Sequence, residues 1–350
     1  MFTLRQYLLA LLDSRGLTRT LGEIDVCRDE QGRPCFSAGN SAAVFRIRLG
    51  GRIRSLRCYL RPMRHLKEIY GQRLLEKELY LHTSPETGVW VDTVLGDWIE
   101  GSTLHETVAQ AAALRDRESL QILVRLFDRL ALALVTDDRA HGDLKPENII
   151  VGDDGTLCPI DFDASYLPAF AGEISPELGT AAYQHPARTA ADFDERIDDY
   201  PAALISTALH ALAEDPTLWD RYGSSDGLLY TPQRIASDPA YRETLALFEK
   251  RGMAVQYRIA QLLTAPTLRL FGLAELLAEA VREKPAARSG TEAETPELFV
   301  ENGRWGYRTA ERVVVAPLYD NGFDFTEGLP MIYCGAAARG TTSTRRAARA

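Results

Sequence analysis

The chain has 350 residues, 45% of them hydrophobic and 25% charged, with a formal net charge of −9. That length and apolar content suit one large two-lobed domain and a small appendage. The acidic balance argues against nonspecific binding to nucleic acid or to anionic membranes, and no apolar stretch approaches the length of a membrane span. The five cysteines (Cys27, Cys35, Cys58, Cys158, Cys334) are scattered and lack metal-ligand spacing. Cys58 and Cys158 lie in apolar, strand-like runs, so buried thiols in a reducing, cytoplasmic setting are expected.

In chain order, Leu8 to Leu12 is apolar but short and flanked by Arg5 and Asp13, which predicts an amphipathic helix within residues 1–20 rather than a signal peptide. Leu21 to Val26 and Arg33 to Phe36 bracket a turn. Gly39-Asn40-Ser41 then leads into a strand, Gly50-Gly51 marks a hairpin, and Ile53 to Leu60 reads as the next strand. His65 to Leu81 carries Leu66, Ile69, Leu74, Leu75 and Leu79 at helix-like spacing. Trp90 to Leu95 reads as a strand running into Gly96 to Leu104. Leu120 to Val135 is helical in period. Asp198-Asp199-Tyr200-Pro201 opens an apolar helix, Ala202 to Leu212, with Asp198 a candidate N-cap, and residues 240–283 add amphipathic helices. Lys284 to Glu297 has linker composition, residues 298–333 hold three short strands around the turn Asn302-Gly303, and residues 334–350 read as a disordered basic tail.

The chemistry concentrates in His141-Gly142-Asp143-Leu144-Lys145-Pro146-Glu147-Asn148 and in Asp161-Phe162-Asp163. Lys145 and Asn148 follow Asp143 by two and five residues, and Asp161 follows it by eighteen. Transfer of a phosphoryl group from ATP needs this inventory. One carboxylate orients the attacking hydroxyl, a lysine neutralises the moving phosphoryl group, and an amide with a second carboxylate holds Mg²⁺. Ile149 to Val151 and Leu157 to Ile160 read as two strands joined by a turn, which brings Asn148 and Asp161 together.

These motifs resemble the catalytic and metal-binding loops of the protein-kinase-like fold, serine/threonine-kinase-like and of bacterial type. The resemblance spans about residues 21–283. It implies an α+β, two-lobed architecture with a small β-rich N-lobe at about 21–97 and a helical C-lobe at about 102–283. Residues 298–333 resemble a single WG repeat, a small all-β unit following the linker at 284–297. By the resemblance, Asp143 is the base, Lys145 stabilises the phosphoryl group, Thr180 bridges the two, and Asn148 and Asp161 hold Mg²⁺. Asp198 matches the family's aspartate that bonds the catalytic-loop backbone. The cofactors implied are ATP and Mg²⁺. Gly39, Asn40 and Ser41 stand where backbone N–H groups meet phosphates, though a plain β-turn serves equally for that sequence. Arg57 takes the place of the third-strand lysine, and Glu76, with Glu68 as competitor, is its expected partner on a helix.

Four departures stand out. Arginine at position 57 is not a conservative exchange for lysine. Gly142 stands where many protein kinases have the arginine that answers a phosphate on the activation segment, so control by such phosphorylation is not expected. Asp163 replaces glycine, and Ala187 replaces a glutamate of a buried ion pair. Lys145 and the segment Gly179 to Pro186 favour a protein acceptor, with the WG-like unit a further route to a protein partner. The alternatives are a pseudokinase acting as a nucleotide-binding scaffold and a small-molecule kinase.

Overall fold

Helix α1 (Leu4–Leu12) starts because Thr3 and Gln6 cap each other: Thr3 Oγ1 accepts the Gln6 N–H and Gln6 Oε1 accepts the Thr3 N–H. It buries Tyr7, Ala10 and Leu11, and the Tyr7 hydroxyl donates to the Tyr59 carbonyl at 2.6 Å. The computed structural model describes residues 1–152 and 155–282 with their side chains, and the backbone of five strands between 297 and 333. They fall into two compact units, residues 1–99 and a second beginning at Glu100.

The first unit is an antiparallel sheet of β1 (Asp25–Val26), β2 (Phe36–Ala38), β3 (Ala42–Leu49), β4 (Arg52–Tyr59), β5 (Leu74–His82) and β6 (Gly88–Asp97). The order is β1-β3-β4-β6-β5, with β2 also on β3. Gly50 and Gly51 both take positive φ, 55° and 79°, as a two-residue hairpin of the I′ type requires. They set Leu49 opposite Arg52. Phe45, Ile47, Leu56, Cys58, Leu79 and Leu81 form a core with Tyr7 and Leu11 of α1. The N-terminal helix is therefore part of this unit.

The helix expected over 65–81 is a correction. Only α2 (Leu66–Tyr70) and a short 3₁₀ turn (Gly71–Arg73) form, and residues 74–82 are β5. A bulge between Leu75 and Leu79, with Lys77 at φ 50°, breaks the strand's two-residue alternation. The resulting apolar spacing imitates a helical one.

The second unit opens with β7 (Gly101–Thr103), which pairs with β8 (Ile149–Gly152) and then β9 (Leu157–Pro159). Helices α3 (Leu104–Ala113), α4 (Arg117–Thr136), α5 (Asp199–Glu214), α6 (Leu218–Tyr222), α7 (Pro239–Arg251), α8 (Ala254–Leu262) and α9 (Leu273–Arg282) build the rest. Asp116 caps α4 by accepting the Ser119 N–H at 3.0 Å. α5 buries residues all round its circumference, which makes it the central helix of the core. A buried leucine there contributes roughly 1.5–3 kcal/mol.

β10 (Glu297–Glu301), β11 (Arg304–Arg308) and β12 (Val313–Tyr319) form an antiparallel sheet, and β13 (Asn321–Thr326) pairs with β14 (Leu329–Tyr333). The turn Asn302-Gly303, the linker up to residue 296 and the tail at 334–350 lie outside the described residues. Among the described residues no helix is long and apolar enough to cross a membrane. A mixed fold with an antiparallel sheet first and helices later is compatible with a kinase-like two-lobed architecture.

Candidate active site

The loop between α4 and β8 carries the residues expected to be catalytic, and three anchors hold it from below. The His141 and Gly142 N–H groups both donate to Asp198, the latter at 3.0 Å. His141 Nε2 meets the Ile160 carbonyl at 2.8 Å, and its ring packs 5.0 Å from that of Phe162. His141 is 2% exposed and acts as a strut. Asp198 precedes α5 but makes no side-chain cap there, so its carboxylate serves the loop alone. Burial pushes the Asp198 carboxyl up, opposed by His141, the two N–H donors and Arg188.

Three of the expected residues converge on the carboxylate of a fourth, Asp143. Asp143 Oδ1 accepts the Thr180 N–H at 2.6 Å, while Oδ2 lies 3.2 Å from Asn148 Nδ2 and 3.4 Å from Lys145 Nζ. Lys145 Nζ also donates to Thr180 Oγ1 at 2.8 Å. Thr180 thus touches both Asp143 and Lys145, although they lie more than thirty residues away in sequence. The side chains of Asp143 and Lys145 keep 17% and 23% exposure, enough to meet a substrate.

The β8–β9 hairpin places the second carboxylate. Ile149 pairs with Pro159, and the Ile160 N–H donates to the Asn148 carbonyl at 2.8 Å, so Asp161 follows directly on the residue bonded to Asn148. Asp161 adopts left-handed backbone, φ 67° and ψ 63°, a conformation aspartate tolerates better than most side chains. Asn148 Nδ2 also donates to the Asp143 carbonyl at 2.9 Å, which leaves its Oδ1 for a cation. An amide oxygen and a carboxylate suit a hard divalent ion. Among the described residues no three His, Cys, Asp or Glu side chains converge, so an ion held by Asn148 and Asp161 would complete its shell with phosphates and water.

Two features escaped the sequence. Arg188 is 9% exposed; its Nη1 donates to the Gly142 carbonyl at 3.0 Å and to Gln184 Oε1. It ties the segment after Thr180 to the candidate catalytic loop, next to the exposed Ala187, which stands where the kinase pattern has a glutamate. Burial pulls its guanidinium below the ordinary value, against the pull of Asp198 and Asp143. An arginine in a loop has no local signature, and its partner Gly142 lies 46 residues away. Gly179, at φ 72°, is the second: a Cβ there would sit 2.7 Å from the Gly142 carbonyl oxygen and 3.0 Å from Asp143 Oδ1.

The expected N-terminal residues belong to the other unit. Gly39, Asn40 and Ser41 form a tight turn between β2 and β3, with the Gly39 N–H donating to the Ala42 carbonyl at 2.9 Å. Ser41 Oγ accepts from Arg61 Nη2 at 2.8 Å. Arg57 lies on β4 between Val44 and Val94, its guanidinium 6.0 Å from the Tyr59 ring centroid. Glu76 lies exposed on β5, 3.5 Å from Lys67, and not on a helix as expected. Trp98 packs under Arg46 at 5.7 Å.

No family model matches the chain. It is 28% identical over 172 residues to CBL-interacting protein kinase 17 of Oryza sativa subsp. japonica, covering 47% of this chain and 35% of that protein. It is 34% identical over 113 residues to serine/threonine-protein kinase PknL of Mycobacterium tuberculosis, covering 31% of this chain and 27% of that protein, and equally to PknL of Mycobacterium bovis. The chain thus spans about a third or less of the length of the curated relatives it matches. These partial, low-identity likenesses support a kinase-like relationship.

Proposed function

We propose that the chain is an ATP-dependent phosphotransferase of the serine/threonine protein kinase type. The observation that carries this reading is the convergence of Thr180, Lys145 and Asn148 on the Asp143 carboxylate. Asp143 orients the acceptor hydroxyl and takes its proton, and Lys145 offsets charge on the transferring group. Mg²⁺, held by Asn148 and Asp161, would draw charge from the phosphate oxygens. Gly39, Asn40, Ser41 and Arg57 are the candidate phosphate contacts of the first unit. Thr180 and the segment through Pro186 favour a protein acceptor, and the unit at 298–333 offers a surface for a protein partner.

The test is transfer from γ-labelled ATP with Mg²⁺ onto the protein itself and onto a generic basic acceptor. The parent should label and Asp161→Asn should lose at least 100-fold of the activity. Equal labelling by both would exclude the assigned role of Asp161. One observation favours a second reading, a nucleotide-binding scaffold without turnover. Arginine replaces the lysine at position 57, and Glu76, its first-choice partner, lies on a strand, which leaves only the competitor Glu68 on helix α2 for that pairing. Mg-ATP binding by calorimetry with no transfer in the parent would select that reading.

A further inference from the structure

Cys27 and Cys35 face each other across the base of the loop that carries the chain from β1 into β2. Arg28 and Pro34 form an antiparallel bridge. On either side of it the Asp29 N–H donates to the Arg33 carbonyl at 2.9 Å and the Cys35 N–H to the Cys27 carbonyl at 2.8 Å. One step outward from the bridge, Cys27 stands opposite Cys35 with both side chains on the same face of the ribbon. The single Cys35-to-Cys27 hydrogen bond holds their Cα atoms within about 7 Å, the outer limit of the range a disulfide spans.

The surrounding backbone is already fixed. The Cys27 N–H donates to the Arg46 carbonyl at 2.9 Å, and the Arg46 N–H donates to the Cys35 carbonyl at 3.0 Å. With the Cys35-to-Cys27 bond these close a ring joining β1, β2 and β3. The loop itself is braced by Asp29 Oδ1, which accepts the Gln31 and Arg33 N–H groups, each at 2.9 Å, and by Arg28 Nη1, which donates to the Gly32 carbonyl.

Accessibility separates this pair from the other described thiols. Cys27 and Cys35 are free and half-buried, whereas Cys58 and Cys158 are buried. Burial pushes the Cys58 thiol far above its ordinary value, which leaves it inert as a nucleophile. We propose that Cys27 and Cys35 form a reversible disulfide, a thiol-redox site on the edge of the first unit that responds to low-molecular-weight disulfides. One cysteine thiolate attacks the small disulfide, forms a mixed disulfide and expels one small thiolate. The second cysteine thiolate attacks the protein-bound sulfur, closes the Cys27–Cys35 bond and expels the other. The protein loses two electrons and two protons, and the small disulfide is reduced to two thiols. A half-exposed pair of this kind is of the labile, responsive type, compatible with a reducing compartment. The site stands independently of phosphoryl transfer.

The test equilibrates the full chain with reduced and oxidised glutathione over a range of ratios, blocks free thiols and digests with trypsin. Cleavage after Arg19, Arg28 and Arg46 places Cys27 on peptide 20–28 and Cys35 on peptide 29–46. The expected product is these two peptides cross-linked, reversed by dithiothreitol, with Cys58 and Cys158 still unmodified. Cys27→Ser and Cys35→Ser should each stop at a glutathione adduct on the remaining cysteine of the pair. Separate, persistent glutathione adducts on both cysteines of the parent would overturn the proposal, as would a bond to another chain or no reaction at either.

Discussion

Gly142 shows how one residue fixes the candidate catalytic loop. Its φ is +81°, and a Cβ there would lie 2.0 Å from the Ala164 carbonyl oxygen. The arginine of the kinase pattern therefore has no room at this position. The guanidinium beneath the loop comes instead from Arg188, which bonds the Gly142 carbonyl. Gly142→Ala must strain the backbone and push residue 164 away, a loss of about 2–4 kcal/mol. Gly252 also has positive φ, +69°, but open space around it, so Gly252→Ala should lose only about 1 kcal/mol. Urea midpoints of the two variants check this; equal losses would show that the close approach to Ala164 does not matter.

At the scale of elements, what the sequence disclosed and what it hid divide by the range of the interactions. α4 was legible because burial on a helix repeats every 3.6 residues, α5 because it is a continuous apolar run behind Asp198 and Pro201, and the loop at 141–148 because its offsets are fixed by local chemistry. β5 was not, because its bulge puts exposed Lys77 where a regular strand would carry an apolar residue between Leu75 and Leu79. The buried Glu78 follows from that bulge and was equally hidden. Its Oε1 accepts the N–H groups of Arg19, Thr20 and Leu21 at 3.1, 2.8 and 2.8 Å, and its Oε2 accepts the Thr20 hydroxyl at 2.6 Å. These partners are 57 to 59 residues away, beyond any periodic signal. Glu78→Ala leaves the Thr20 and Leu21 N–H groups and the Thr20 hydroxyl without their acceptor, while the Arg19 N–H keeps the Glu78 carbonyl at 2.9 Å, and should lose about 2–4 kcal/mol. Glu78→Gln keeps one oxygen and should lose about half as much, while exposed Glu76→Gln should stay within about 0.5 kcal/mol of the parent. Thermal unfolding of the three variants tests the order, and a Glu76 effect as large as that of Glu78 would contradict the burial.

For the whole molecule, Asp199 makes stability depend on pH. It opens α5, is 4% exposed, and accepts the Leu270 N–H at 3.3 Å through Oδ2, while Oδ1 has no partner among the described residues. Burial pushes its carboxyl up to about 7; the Leu270 N–H and Arg196 act the other way, and neighbouring Asp198 adds to the rise. An unfolded aspartate titrates near pH ~3.9, so between about pH 4 and 7 the folded chain keeps a proton that the unfolded chain has lost. The contribution is fully present below the unfolded value and is lost as pH rises through the folded one, a change on the order of 2–4 kcal/mol. Asp199→Asn keeps an oxygen for Leu270 and removes the charge. Its stability relative to the parent should therefore climb steadily across that window, leaving the variant the more stable of the two at neutral pH. Urea unfolding at a series of pH values reads the difference directly. Parallel curves for parent and variant would mean that Asp199 titrates alike in both states, and that the base of α5 admits the water or cation needed to hold its charge.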